Sequence, residues 1–284
     1  MGSLPSVLIC RERSLSLVKP CVMGVLNATP DSFSDGGRFM RAGRLDLDAA
    51  VAAAVAMIEA GAAIIDIGGE STRPGASPVD ADEELRRVIP VVERIVTMAT
   101  IVSVDTSKPA VARAALSAGA HLINDVRAMA DPDLLAVVAD SDAALCLMHM
   151  RGEPGTMQDA PRYDDVVAEV RDFLDERAER CQRAGIGRER ILIDPGFGFG
   201  KTLEHNLTLL RRLGHIVDLG YPVMVGLSRK RMIGAITGRA ADMRVAGGVA
   251  AAVVAVQNGA RIVRTHDVAA TVDALKIVSR IMEI

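Results

Sequence analysis

The chain has 284 residues, 50% of them hydrophobic and 24% charged, enough to bury one large core and to exclude a disordered chain. Its net charge of −3 comes from interspersed acids and bases, so neither nucleic acid nor an anionic membrane is an expected partner, and any phosphate must be bound locally. The four cysteines, Cys10, Cys21, Cys146 and Cys181, stand far apart without a CxxC pair, which points away from a zinc knuckle or disulfide framework and toward reduced thiols in a cytoplasm.

The N-terminus carries no apolar core of signal-peptide length, and runs such as "VAAAVAMI" fall short of the roughly 18 residues that span a bilayer. "MGSLPS" matches a myristoylation pattern, but so short a pattern is common, and "MGS" is a usual remnant of recombinant expression. Residues 1–20 are expected to cap the bottom of the fold. The first strand, "VMGVLN", breaks at Asn27 into the polar crowd "ATPDSFSDGG". Then come "AAIIDIG" (62–68), "TIVSVD" (100–105), "HLIND" (121–125), "AALCLMH" (143–149), "ILIDPG" (191–196), "PVMVGLS" (222–228) and "RIVRTHD" (261–267).

Helical periodicity separates these eight runs. In "EELRRVIPVVERIV", Leu85, Val88, Ile89, Val92 and Ile95 follow the i, i+3, i+4, i+7 rule, and Pro90 is expected to bend the helix. "YDDVVAEVRDFLDERAERCQRAG" has acids in its first turns and Gly185 as a C-terminal stop, and "VAATVDALKIVSRIMEI" closes the chain. Eight strands alternating with eight helices predict a single (β/α)8 TIM barrel, an α/β fold of one domain over residues 1–284. A doubly wound open sheet would usually offer fewer strands and a glycine fingerprint after the first.

In such barrels the chemistry sits where strands end. Asn27, Asp105, Asn124, Asp125, His149, Asp194, the segment Ser228 to Lys230, Arg264 and His266 all fall there, and "GGESTRPG" follows strand 2. Asp105, Asn124 and Asp194, over an apolar floor of Ile123 and Met148, suit a flat heterocycle with N–H donors along one edge. Asn27, Arg264, His266 and Lys230 surround the join of strands 7, 8 and 1, where barrels often hold phosphate.

Two motifs are set aside. "GFGFGKT" has three residues between its outer glycines where a phosphate-binding GxxxxGK[ST] loop needs four, so its glycines are expected to fold a loop flat over a ligand with Phe197 or Phe199 as lid. Lys230 as a Schiff-base lysine is matched by the simpler reading of a charged hydrogen-bond donor. His121, His205 and His215 have no partner at metal-ligand spacing.

"MGVLNATPDSFSDGG", "IIDIGGESTRPGA", "SVDTSKP", "LINDV", "LMHM", "DPGFGFGK", "GLSRK" and "RTHD" occur in the order seen in dihydropteroate synthases of bacterial folate synthesis, which the chain resembles along nearly its whole length. The resemblance implies a transferase that joins 4-aminobenzoate to a hydroxymethyl-dihydropterin pyrophosphate, releasing pyrophosphate with the help of Mg2+. It implies a pterin pocket of Asp105, Asn124, Met148, Asp194, Phe199 and Lys230, and a pyrophosphate site of Asn27, Arg264 and His266. Its aminobenzoate site would be Phe33, Thr72, Pro74 and Ser228, and its metal would sit at Asn27 with Asp31 or Asp35 reaching it from a closing first loop. The resemblance further implies a sulfonamide target and a homodimer through the helices after strands 7 and 8, where "VAGGVAAAVVAVQNGA" has few charges on any side. A folate-dependent methyltransferase on the same barrel would not need "STRPG" or "SRK". A catalytically silent pterin-binding paralogue should have lost one of Asn27, Asp194, Lys230 or Arg264.

Overall fold

The computed structural model describes residues 6–29, 40–41, 44–71, 78–152, 157 and 160–282. The eight apolar runs form parallel strands β1 (Cys21–Asn27), β2 (Ile64–Gly68), β3 (Ile101–Asp105), β4 (Leu122–Asp125), β5 (Ala144–Met148), β6 (Ile191–Asp194), β7 (Met224–Gly226) and β8 (Ile262–Thr265). They pair in the order β6-β5-β4-β3-β2-β1-β8-β7. The ends meet where Ile193 bridges Val223 and donates its N–H to the Pro222 carbonyl at 3.0 Å, so the sheet curls into a nearly closed (β/α)8 barrel.

The intervening segments are helical: α1 (Leu47–Glu59), α2 (Ala81–Ile95), α3 (Pro109–Ser117), α4 (Pro132–Ala139), α5 (Val166–Arg183), α6 (Leu203–Arg211), α7 (Gly214–Val217), α8 (Arg231–Thr237), α9 (Val245–Gln257) and α10 (Val268–Met282). The described residues thus hold two helices more than the eight expected, the single turn α7 and the short α8. Side-chain oxygens of Asp46, Asp80, Asp131, Asp165 and Thr202 accept backbone N–H groups at the starts of α1, α2, α4, α5 and α6. Helix α2 continues through Pro90 to Ile95, and α5 stops just before Gly185, whose φ of 93° an L side chain would resist.

Period-two alternation divides each strand between two cores. Ile65, Ile67, Val102, Val104, Ile123, Leu145 and Leu147 pack outward with helix residues such as Val88, Val111 and Leu134. Met23, Ile64, Ile101, Leu122, Ala144, Leu192, Met224 and Ile262 form a separate cluster with Leu8, Cys10 and Leu17. Leu8 and Cys10 come from an N-terminal antiparallel hairpin, Val7–Cys10 with Arg13–Ser16, and Leu17 directly follows it, so this segment packs against the residues at the starts of the barrel strands. Arg13 fastens it by donating to the carbonyls of Val96, Met98 and Thr100 beyond α2, and Arg11 by donating to those of Leu116 in the last turn of α3 and Ala120 beyond it. Cations at helix C-termini are favourable there.

Candidate active site

Two residues above Ile64, Ile101 and Leu122, the same strand faces carry Asp66, Ser103 and Asn124, and β3 adds Asp105 one step higher. Asp66 is the hub. Fully buried, it accepts from Arg264 Nε at 2.7 Å, from Ser103 Oγ at 2.6 Å and from Asn124 Nδ2 at 3.2 Å. The Arg264 fork also donates through Nη2 to Asp105 at 2.9 Å. Two of the guanidinium's five donors are thereby committed to fixing its plane, and the others can serve a ligand. Burial pushes the Asp105 carboxyl up to about 7, with Arg264 pulling it down and Asp66 adding to the rise.

Asp194 ends β6, one strand from Met148 on β5. Its Oδ1 accepts the Gly196 N–H at 2.8 Å, and burial raises its pKa against the pull of that bond and of Lys230, Arg264 and Lys201. Lys230 Nζ stands 4.2 Å over the Phe199 ring. Asp105, Asn124, Met148, Asp194, Phe199, Lys230 and Arg264 line one cavity, together with Val126 and Phe197.

Ile123 does not floor this cavity as expected: it packs in the helix-facing core, because neighbours on a strand point to opposite faces. Phe197 is buried, so of the two aromatic candidates it is Phe199 that stacks with a cation. His149 lies one residue past β5, and with β7 only three residues long, Ser228 to Lys230 occupy a turn rather than a strand end. Arg229 holds a positive φ of 57° in that turn.

Across the mouth, Asn27 ends β1 beside Gly68. Ser228 Oγ lies 3.1 Å from His266 Nδ1, accepts the His266 N–H at 3.3 Å and donates to Asp267 at 3.4 Å, while Arg229 Nη2 reaches Asp267 at 2.6 Å. Ser228 and His266, expected in different subsites, are therefore direct neighbours. Phe33, Thr72, Pro74, Asp31 and Asp35 lie outside the described residues.

Sequence reasoning passes over three charged groupings, around Asp66, Lys108 and Lys201. Asp66 sits mid-strand in an apolar run; the signal is its register, two residues from Ile64 on the interior face. Lys108 pairs with Glu70 and, at 2.5 Å, with the fully buried Glu84 of α2, while Glu70 also accepts the Val79 N–H at 3.1 Å. This cluster ties both flanks of residues 72–77 to the body of the barrel. Lys201, third, is buried behind the cavity, and its ammonium is committed to its own loop carbonyls and to His149, which accounts physically for the failure of the phosphate-loop pattern.

Comparison with known proteins assigns this arrangement to a family. Residues 23–266 match the pterin binding enzyme family. The chain is similar to the dihydropteroate synthase of Escherichia coli (strain K12), at 51% identity over 272 residues, 95% of each chain. It superposes with a TM-score of 0.94 on the Yersinia pestis dihydropteroate synthase solved with a sulfonamide drug complex, at 47% identity over 98% of this chain and 100% of that one. On the Xanthomonas albilineans dihydropteroate synthase solved with 4-aminobenzoic acid the TM-score is 0.90, at 53% identity over 98% and 99% of the chains. A strand-end cluster of this composition, on this barrel and at this similarity, places the chain in the pterin-binding enzymes, among the dihydropteroate synthases.

Proposed function

We propose a division of labour in this barrel for the dihydropteroate synthase reaction, the transfer of a dihydropterin-methyl group from pyrophosphate to 4-aminobenzoate. The observation that carries it is the single cavity lined by Asp105, Asn124, Asp194, Lys230 and Arg264 over Met148 and Phe199. Asp194 and Asp105 accept N–H groups of the pterin edge, Asn124 adds an amide, and Phe199 and Met148 cover the ring faces. Arg264, with His266 and Asn27, receives the pyrophosphate at the β7, β8 and β1 side of the mouth. Ser228, with Phe33, Thr72 and Pro74, orients the aminobenzoate.

The carbon–oxygen bond breaks first and its electron pair leaves with pyrophosphate. The pterin ring delocalises the positive charge left on its methylene carbon, the arylamine nitrogen then forms the carbon–nitrogen bond, and its surplus proton goes to solvent. Arg264 suits the departure step because Asp66 and Asp105 already orient its fork, so no reorganisation is needed as charge develops. The weakly basic amine needs orientation more than a base.

A hard divalent cation fits the mouth: the Asn27 side chain offers an amide oxygen at the end of β1, and a diphosphate supplies the remaining oxygens. Among the described residues no group of three His, Cys, Asp or Glu gathers to cage a metal, so Mg2+ would be held by Asn27, by Asp31 or Asp35, and by substrate. When bound, it supplies positive charge against the leaving group.

The chain pairs as a homodimer through the helices after β7 and β8, a reading supported by the apolar groove between α9 and α10, lined by Val253, Ala274, Val278 and Met282, with Ile277 62% and Ile281 75% exposed. Competition by sulfonamides at the aminobenzoate side accords with the Yersinia pestis complex. No described helix is long and apolar enough to cross a membrane, and with four free cysteines a cytoplasmic location is the consistent reading. Residues 1–284 act as one domain. Turnover of the two substrates in a magnesium buffer is the test: product formation supports the reading, and pterin binding without product returns the silent paralogue. A monomeric mass by light scattering at micromolar concentration would refute the dimer.

A further inference from the structure

The residue with the least expected surroundings is Lys201. It is 2% exposed, and its ammonium lies 2.8 Å from His149 Nδ1, 2.9 Å from the Gly196 carbonyl, 3.1 Å from the Phe199 carbonyl and 3.4 Å from the His149 carbonyl. Three protons thus face four acceptors from two loops, those that follow β5 and β6. Since a charged lysine can only donate, His149 Nδ1 accepts, and the imidazole is neutral with its proton on Nε2. Burial, and then the Lys201 cation, pull that ring down to about 2, while burial pulls Lys201 itself down to about 7 with Asp194 resisting.

The two loops touch backbone to backbone. A Cβ added at Gly196 would overlap the His149 carbonyl, one added at Gly200 would overlap the Arg151 carbonyl, and both glycines hold positive φ, of 69° and 63°. Close approach leaves carbonyls with no water to satisfy them, and Lys201 fills that need.

From there the contacts lead straight to the cavity. The Gly196 carbonyl accepts from Lys201 while the N–H of the same residue donates to Asp194 Oδ1. The Phe199 carbonyl also accepts from Lys201, while the Phe199 ring stacks under Lys230. One buried ammonium therefore fixes both a carboxylate and an aromatic face of the pocket without lining it.

We propose that Lys201, keyed by His149, is a positioning residue for pterin recognition, setting the height and tilt at which Asp194 and Phe199 meet the ring. The proposal rests on the assignment of this cavity to the pterin. Aminobenzoate binding lies outside its reach, because the Lys201 ammonium bonds to the loops after β5 and β6, away from Ser228 and His266 after β7 and β8.

The test compares wild type with Lys201→Met, which keeps length and removes the charge, Lys201→Gln, which restores a neutral donor, and His149→Ala, which removes the ring acceptor. Calorimetry with 6-hydroxymethylpterin and the KM of each substrate are the readouts. Lys201→Met is expected to weaken pterin binding roughly 10- to 100-fold, the usual effect of a lost charge-assisted bond, and to leave the aminobenzoate KM within about twofold. Lys201→Gln should recover part of the loss, and His149→Ala should weaken pterin several-fold. A purely structural staple predicts otherwise: both KM values rising together as thermal stability falls, or pterin affinity unchanged, and either result overturns the proposal. If Lys201→Met does not fold, His149→Ala decides the matter in its place, unchanged pterin affinity being fatal. Wild type that binds no pterin would instead bring down the cavity's assignment, and this inference with it.

Discussion

The bottom and the mouth of this barrel are built from the same strands in the same register, yet they do opposite things with their interior positions. At the bottom Ile64, Ile101, Leu122 and Ile262 interlock with the N-terminal hairpin. Two residues higher the interior holds Asp66, Ser103, Asn124 and Arg264, polar groups joined to one another. The bottom gains from burial itself, whereas the mouth bears a desolvation cost for groups held in a fixed array that would be mobile in water. Fixed polar groups are what an electrostatic reaction step needs.

The sharpest way to break this division is a pair of substitutions on either side of it. Leu122→Ala should cost about 2 to 5 kcal/mol of stability through its cavity while leaving both KM values unchanged. Arg264→Ala should be worse on both counts, removing some 3 to 5 kcal/mol because buried Asp66 and Asp105 lose their shared guanidinium partner, and abolishing pyrophosphate release. Urea denaturation with steady-state kinetics on both variants checks this. An Arg264→Ala protein as stable as wild type would show that Asp66 is not held by that ion pair.

The second prediction stays within the mouth. Asp194→Asn keeps the shape but turns a charge-assisted acceptor into a neutral amide, so pterin affinity should fall by about 2 to 3 kcal/mol in calorimetry. Aminobenzoate affinity should be untouched. Unchanged pterin binding would remove Asp194 from the pocket.

How far the mouth is legible in the sequence follows from the same alternation. Asn27, Asp105, Asn124, Asp194 and Arg264 are readable because each stands at or next to the end of an apolar run, and a polar residue there is unusual enough to notice. Asp66 is not, because inside "IIDIG" it reads as one more strand residue until its strand is registered against Ser103. Ile123 misleads for the converse reason: adjacency to Asn124 in sequence means opposition in a strand. Lys201 is hidden differently. A lysine in a glycine-rich loop suggests exposure, and only the approach of two loop backbones shows that it is enclosed. The aminobenzoate residues Phe33, Thr72 and Pro74 are legible by resemblance alone, from motifs in loops with no periodicity of their own.

A third prediction uses pH. The folded protein keeps the Asp105 proton up to about 7, whereas the unfolded chain releases it near 3.8. Between those values the native state binds more protons, so this group makes stability fall as pH rises, by up to about 1.4 kcal/mol per pH unit. His149 works the other way, since its folded pKa of about 2 makes stability rise with pH up to 6.5. The raw slope therefore mixes the two, and the difference between wild type and Asp105→Asn isolates Asp105. Stability measured between pH 5 and 7 should decline more steeply, or rise less, in wild type than in the variant. Equal slopes would mean that Asp105 is ionised throughout, held by Arg264 against burial.

The smallest expected effect tests the order of bond breaking within the mouth. If the carbon–oxygen bond breaks before the amine attacks, the groups required are the pterin pocket, Asn27, Arg264 and His266, and aminobenzoate is not needed for departure. Enzyme with pterin pyrophosphate alone, in magnesium buffer, should then release pyrophosphate slowly as water traps the cation. Ser228 sharpens the test because its hydroxyl, assigned to the aminobenzoate, also touches the pyrophosphate-side His266 ring at 3.1 Å and its neighbour Asp267 at 3.4 Å. With Arg229 still bonded to Asp267, the loops after β7 and β8 remain joined in Ser228→Ala, so pyrophosphate release should survive nearly intact while the KM for aminobenzoate rises a few-fold. A concerted displacement makes the opposite forecast. Attack and departure then share one transition state, no pyrophosphate appears without the amine over many turnover times, and Ser228→Ala slows both events together.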